Sequence, residues 1–279
     1  MSPVVRFFVF VYALTWACFF AAVVISQHST PAHTSISLVR GFLLLLGTFA
    51  PAIVALLMTS TEKGRAGVAT LLKGLLRWRV GLRWYVFAVT YMAAIKFSVA
   101  LLHRAITGTW PPFGHELPVV ILIAIVISTP FQSGEEIGWR GYALPRMAAR
   151  MGFGWASVLL GVIWAFWHLP LFFLAGADKY GQSFPVFVLG VTALSVAIAW
   201  LYVHANGSLL LTMLMHSAVN QTIGIVPDAS PNAHGVLSMS ISLPFFLSTL
   251  LLCISAAYLL VRMPKARSLI TGEPKLAVD

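Results

Sequence analysis

The sequence predicts an all-α, polytopic membrane protein, in which about eight transmembrane helices form a bundle around an intramembrane polar cavity. Hydrophobic residues make up 59% of the 279 residues, charged residues make up only 9%, and the mean hydropathy is +0.89. A soluble domain carries far more charge on its surface. Apolar runs recur along the chain, most of them near the length of about 18 residues that a membrane-spanning helix needs. We therefore predict a single integral membrane domain over residues 1–279.

The apolar runs are predicted to be the helices of the bundle. The fourth run is short and ends in polar residues, so we interpret it as the buried half of a longer helix that bends at Pro130. The first run has a long apolar stretch and no clean cleavage site, which indicates a signal anchor rather than a cleaved signal peptide. In chain order the runs are Val4–Ile25, Leu38–Thr59, Leu82–His103, Leu117–Phe131, Phe153–Leu174, Phe184–His204, Ser208–Val226 and Ile241–Val261.

Most of the basic residues behind the net charge of +10 lie in alternate loops, and the loops between them hold almost no Lys or Arg, which argues against nucleic-acid binding. The positive-inside rule instead predicts that both termini are cytoplasmic, in what we expect is a bacterial cytoplasmic membrane. The lipid bilayer is then the first partner of the protein. Lys96 lies inside the third run, and we expect its long side chain to reach the interface. The basic segments contain Lys63, Arg65, Lys73, Arg77, Arg79 and Arg83, then Arg140, Arg146 and Arg150, and finally Arg262, Lys265, Arg267 and Lys275.

Two of the eight acidic residues, Glu135 and Glu136, stand side by side at the end of the fourth run. Ionisable residues near hydrocarbon are costly and usually mark a working site. Glu136 and Arg140 are four residues apart, so on a helix they face each other and pair. Glu135 is rotated away by about 100° and stays available to take a proton. The alternative is an interfacial Glu–Arg pair at a helix end, with Glu135 solvated.

Two later runs contribute the other strongly polar side chains. His168 follows an aromatic stretch in the fifth run, and His216 and Asn220 share one helix face in the seventh. Each has a structural interpretation, as a hydrogen-bonded core histidine or as an interhelical polar contact. Because isolated polar groups are costly inside a membrane, we expect them to converge with the carboxylates in one cavity. Such a set can activate water and stabilise an oxyanion. It can also hold Zn²⁺ through Glu135, His168 and His216.

Three motifs in this order resemble the CAAX protease and bacteriocin-processing (CPBP) family of intramembrane proteases. EExxxR corresponds to Glu135, Glu136 and Arg140, and HxxxN corresponds to His216 and Asn220. The FxxxH motif is represented by Trp164 and His168, so a tryptophan stands where the family has phenylalanine. The resemblance covers residues 117–225, which we expect to be the catalytic core.

The resemblance implies an endopeptidase that hydrolyses a peptide bond of a membrane-associated protein or peptide. It implies that Glu135 and His168 activate water, that His216 and Asn220 stabilise the oxyanion, and that Glu136 and Arg140 support the site. Both a zinc-dependent and a metal-free mechanism remain open. The CAAX specificity of the eukaryotic members is not carried over to this chain.

A straight-helix reading places His168, His216 and Glu135 at different depths. We therefore predict that the segment from Phe131 to about Ala148 is helical, partly buried and re-enters the membrane. The leading hypothesis is an intramembrane peptidase with a cytoplasm-facing site. A proton-coupled transporter that uses Glu135 and the two histidines as a relay is one alternative. A non-catalytic scaffold or bacteriocin-immunity protein is the other.

Overall fold

The computed structural model describes residues 1–28, 34–177, 179–227, 236–238 and 241–264. This described part is helical and contains no strand, so the predicted all-α fold is confirmed. Its α-helices are α1 (Pro3–His28), α2 (Thr34–Leu72), α3 (Leu82–Thr107), α4 (Pro118–Ser128), α5 (Ser133–Glu136), α6 (Leu144–Trp167), α7 (Phe184–His204), α8 (Leu209–Thr222) and α9 (Leu243–Val261). The basic residues Lys265, Arg267 and Lys275 lie outside the described residues.

The helices are those of an integral membrane protein. Within the described residues, 6 helical segments are long and apolar enough to cross a membrane. Large apolar side chains face outward on them, as at Val126, which is 69% exposed. The predicted count of eight spans is not confirmed. Runs four and five lie on one continuous helical stretch, Pro118–Phe173, and run seven corresponds to the shorter apolar helix Leu209–Ile225.

The chain stays helical from α4 to the start of α6 while the type of helix changes four times. A 3-10 turn, Thr129–Gln132, contains Pro130 and separates α4 from α5, as the predicted bend requires. A π-helical segment, Ile137–Ala143, then joins α5 to α6. Most of residues 131–148 are buried, so this segment is helical and buried as predicted. The direction of the chain changes at Gly152, whose φ of 76° breaks α6.

Close packing fixes the position of α6. A Cβ atom at Gly161 would lie 2.7 Å from Cα of Thr192, so glycine allows α6 and α7 to approach. The end of α6 is also tied to α1. The indole of Trp16 donates to the carbonyl of Trp167 at 3.2 Å, and the indole of Trp167 donates to Thr15 Oγ1 at 2.8 Å. These contacts hold the turn of helix on which His168 lies.

Lys96 does not reach the interface, and our expectation for it was wrong. Its side chain is fully buried, and its ammonium donates to the carbonyl of Val226 at 3.0 Å and to Ser248 Oγ at 3.1 Å. Partners on the segment after α8 and on α9 satisfy the charge inside the bundle, so the lysine has no need to extend outward. Sequence spacing could not reveal these partners because they lie far along the chain.

Candidate active site

The segment Thr129–Ala143 brings both glutamates into the centre of the bundle. Glu135 is 6% exposed, whereas Glu136 and Arg140 have no exposed surface. A Cβ atom at Gly138 would lie 2.6 Å from the carbonyl oxygen of Pro51, so this glycine lets the π-helical segment press against α2. π-helical turns are rare and occur often at functional sites. Burial of Glu135 rules out the interpretation in which it is simply solvated.

Glu136 lies between two basic side chains. Its Oε1 accepts a hydrogen bond from Arg140 at 2.7 Å, which confirms the predicted i,i+4 pair. The same oxygen lies 2.9 Å from Nδ1 of His216 on α8. An ionised carboxylate only accepts hydrogen bonds, so Nδ1 of His216 carries the proton. His216 therefore meets Glu136, and this contact holds α8 against the end of α5.

Glu135 is held by two indoles. Its Oε2 accepts from Nε1 of Trp164 at 2.6 Å and from Nε1 of Trp139 at 3.3 Å. Its other oxygen, Oε1, has no hydrogen-bond donor among the described residues. One carboxylate oxygen is thus fixed in place and the other is left as a proton acceptor. Trp139 is four residues after Glu135, and this i,i+4 spacing is the signal from which the contact could have been predicted.

Trp164 contacts both histidines and Arg140 as well as Glu135. Its ring centroid lies 5.2 Å from that of His216 and 5.8 Å from that of His168. The guanidinium of Arg140 lies 4.4 Å from the same ring, over its face. Such a contact stabilises a cation that is removed from water. Glu135 and both histidines therefore lie around one side chain, so the predicted polar residues are close together, although they do not all share one cavity.

The Nδ1 atom of His168 faces the backbone. It lies 2.8 Å from the carbonyl of Trp164, one turn earlier in α6. A carbonyl is only an acceptor, so Nδ1 carries the proton that it donates. The ring also packs edge-on against Trp167 at 4.6 Å and Phe187 at 5.3 Å. These aromatic neighbours fix the plane of the imidazole.

A cavity of about 280 Å³ adjoins these residues. Trp164, His168, His216 and Asn220 line it, together with Lys96, whose place there was not predicted. Asn220 is exposed and makes no hydrogen bond within the described part of the chain. The two glutamates and Arg140 do not line the cavity, and Trp164 stands between it and Glu135. The predicted site is thus a cavity surface of two imidazoles and an amide, backed by a buried carboxylate pair.

The donor atoms do not gather around one point as metal ligands do. Among the described residues, no group of three or more His, Cys, Asp or Glu side chains is arranged to hold a metal ion. In the proposed Zn²⁺ set, indoles occupy Oε2 of Glu135. The Nδ1 atoms of His168 and His216 contact a carbonyl and a carboxylate, so Nε2 of each ring would be the nitrogen that binds a metal.

Comparison with known proteins gives two similarities over this region. Residues 115–222 match the family of type II CAAX prenyl endopeptidases described as Rce1-like. The chain is also 26% identical over 161 residues to CAAX prenyl protease 2 of Methanococcus maripaludis, across 54% of this chain and 58% of that protein. The chain therefore spans less than two thirds of the length of this relative. The family match covers the segment that carries the three motifs.

Proposed function

Since this chain is a member of the CAAX protease family and carries a Rce1-like domain over residues 115–222, we propose that it is an intramembrane endopeptidase. The observation that supports this most is that His168, His216 and Asn220 line one cavity, with the carboxylate of Glu135 directly behind Trp164 in its wall. Membrane proteins tolerate such a concentration of polar groups mainly where it serves a function. The substrate is a membrane-associated protein or peptide.

In the proposed reaction, a water molecule attacks the carbonyl carbon of the scissile peptide bond. His168, which lines the cavity, accepts the proton of the water, and Oε1 of Glu135 assists as a second acceptor. The C–N bond then breaks, and the proton is passed to the nitrogen of the leaving amine. The same groups act first as base and then as acid.

The oxyanion of the tetrahedral intermediate is stabilised from α8. Asn220 donates through its amide, and His216 donates through Nε2. Because Nδ1–H of His216 already faces Glu136, donation from Nε2 requires the imidazolium form. Glu135 and Glu136 then balance the charges of Arg140 and His216, which makes a neutral group of four in a low-dielectric site.

For Glu135 to contact the attacking water, the Trp164 side chain has to shift when substrate enters the cavity. Trp164 lines the cavity and covers the carboxylate, to which it donates its indole N–H. We therefore assign Trp164 a positioning role, in which it holds one oxygen of Glu135 while the other takes part in proton transfer. Arg140 and Glu136 support the site by holding His216.

The experiment that tests the function is cleavage of a library of membrane peptides by the purified protein, with Glu135→Gln and His216→Ala as comparison variants. Loss of cleavage in both variants supports the proposed endopeptidase. Added chelator tests the Zn²⁺ hypothesis, because a metal-free reaction is unaffected by it. Glu62→Gln is a suitable control, since it removes a carboxylate outside the cavity.

The same variants test the alternative functions. If Glu135→Gln abolishes proton-coupled uptake but cleaves peptides at the rate of the parent protein, the protein is a transporter. A phenotype that no variant changes would indicate a scaffold.

A further inference from the structure

The cavity extends from the middle of the helical bundle to one end of it. The wall at that end includes His168 just after the end of α6, Val186 near the start of α7, Gly224 just after α8 and Phe245 near the start of α9. Connecting segments at the same end complete it, through Lys179, Gln182 and Pro227. We call this the cavity end of the bundle.

The described Lys and Arg residues of the basic segments lie at the other end, except Arg140, which is buried at the site instead of lying in a cytoplasmic loop as predicted. Arg77 donates to the carbonyl of Asn206 at 2.6 Å, in the turn between α7 and α8. Arg146 pairs with Glu62 at 3.1 Å. Lys63, Arg77 and Arg146 line a second pocket of about 500 Å³ there. We call this the basic end.

The charge difference between the two ends is large. The described Lys and Arg residues of the cavity end are Arg40, Arg104 and Lys179, apart from the buried Lys96. Those of the basic end are Arg6, Lys63, Arg65, Lys73, Arg77, Arg79, Arg83, Arg146, Arg150 and Arg262. The positive-inside rule places the basic end in the cytoplasm, next to anionic headgroups. The cavity end then faces away from the cytoplasm. In this fold the termini and the opening of the site lie at opposite ends, so they cannot both face the cytoplasm as we expected.

The basic side of the site is closed by buried side chains. Glu136 and Arg140 have no exposed surface and lie directly behind His216. Toward the cavity end, His216 is six residues from the end of α8 at Thr222, a rise of about 9 Å along the helix. An extended peptide crosses that distance with about three residues. Asn220 lies between His216 and this end of α8 and is exposed.

From these observations we propose that the cavity admits its substrate from the extracytoplasmic side of the membrane. The substrate is a membrane-anchored polypeptide whose scissile bond lies in the outer part of the bilayer, a few residues from the outer surface. This rests on the proposed endopeptidase function for the nature of the substrate. The direction of access rests only on the placement of the cavity and the charges.

Two glycines allow a direct test. A Cβ atom at Gly190, inside the cavity, or at Gly224, on its rim, meets no heavy atom within 4 Å. Gly190→Cys and Gly224→Cys therefore fit without displacing a neighbour. Arg65→Cys is the matched control because it is exposed at the basic end. Each is made in a background with Cys18→Ala and Cys253→Ala, which removes both natural thiols.

Right-side-out spheroplasts are treated with a maleimide that cannot cross membranes. We expect Gly190→Cys and Gly224→Cys to react before permeabilisation, and Arg65→Cys to react only after it. The reverse pattern would overturn the proposal. So would reaction at Gly224→Cys without reaction at Gly190→Cys, since the cavity would then be closed to that side.

The labelling result does not depend on catalysis. Adding Glu135→Gln to each variant should leave the labelling pattern unchanged, even if the protein cleaves nothing. Failure of the endopeptidase proposal is detected by the cleavage assay, and failure of the access proposal is detected by labelling. In an active protein, labelling of Gly190→Cys from outside should also abolish cleavage, whereas labelling of Arg65→Cys in permeabilised cells should not.

Discussion

The indole N–H of Trp164 donates a hydrogen bond of 2.6 Å to Oε2 of Glu135, across the π-helical segment that joins α5 to α6. A phenylalanine at this position, as the related family motif has, would fill similar space without a donor. The tryptophan therefore adds a specific constraint on the carboxylate that we propose as a proton acceptor. It also separates that carboxylate from the cavity.

Trp164→Phe should lower kcat while it leaves KM nearly unchanged, because the ring stays in the cavity wall and only the restraint on Glu135 is lost. A hydrogen bond to a charged group contributes about 1.5–3 kcal/mol, so a fall in thermal stability should accompany it. Cleavage kinetics and thermal unfolding of the purified protein measure both effects.

Trp139→Phe is the matched control for this variant. It removes the longer hydrogen bond to Oε2 of Glu135, which measures 3.3 Å, so its effect on kcat should be smaller than that of Trp164→Phe. Equal effects of the two variants, or an unchanged kcat in Trp164→Phe, would contradict the positioning role.

The sequence was sufficient for the fold class and for the local pairing, but not for contacts between distant segments. The i,i+4 rule predicted the Glu136–Arg140 pair because helix geometry alone sets it. Which glutamate meets His216 depends on how α8 packs against a π-helical turn, and no periodicity reveals this turn. The burial of Lys96 was missed for the same reason, since its partners are Val226 and Ser248.

The depth problem found in the sequence also has a structural explanation. Straight helices placed Glu135 and His168 at different levels. The chain resolves this by staying helical between Pro118 and Phe173 while it breaks direction at Gly152. The segment from Phe131 to Ala148 is buried as expected, and it brings Glu135 level with Trp164.

Glu136→Gln should destabilise the protein strongly. It leaves the buried guanidinium of Arg140 without the carboxylate that accepts its hydrogen bond. Breaking a buried ion pair in this way costs about 3–5 kcal/mol. Thermal unfolding in lipid nanodiscs measures the change. Glu62→Gln is the control, because it breaks a partly exposed pair with Arg146 and should cost about 0–1 kcal/mol.

A second variant separates stability from function at this pair. Glu136→Gln combined with Arg140→Met removes both charges and should recover much of the stability. Cleavage should stay impaired, since His216 has still lost the carboxylate that faces its Nδ1. Full recovery of cleavage would show that Glu136 has only a structural role.

Asn220→Ala should lower kcat by about 10²–10³, the usual loss when one oxyanion donor is removed. The unfolding temperature should hardly change, because the side chain is exposed and makes no hydrogen bond within the described residues. Cleavage kinetics and thermal unfolding test the two statements separately. A lower unfolding temperature with unchanged kcat would indicate an interhelical contact instead of an oxyanion donor.

Gly138→Ala should reduce stability and cleavage together. Its Cβ would lie 2.5–2.6 Å from three atoms of Pro51, two of them backbone, so the π-helical segment has to move away from α2. Overpacking of this kind costs about 1–3 kcal/mol. Gly190→Ala is the matched control for stability, since its Cβ enters open space and alanine favours a helix over glycine by about 1 kcal/mol. Thermal unfolding should therefore shift in opposite directions for the two variants. If Gly138→Ala kept the stability and cleavage of the parent protein, close contact with α2 would not be what positions Glu135 and Glu136.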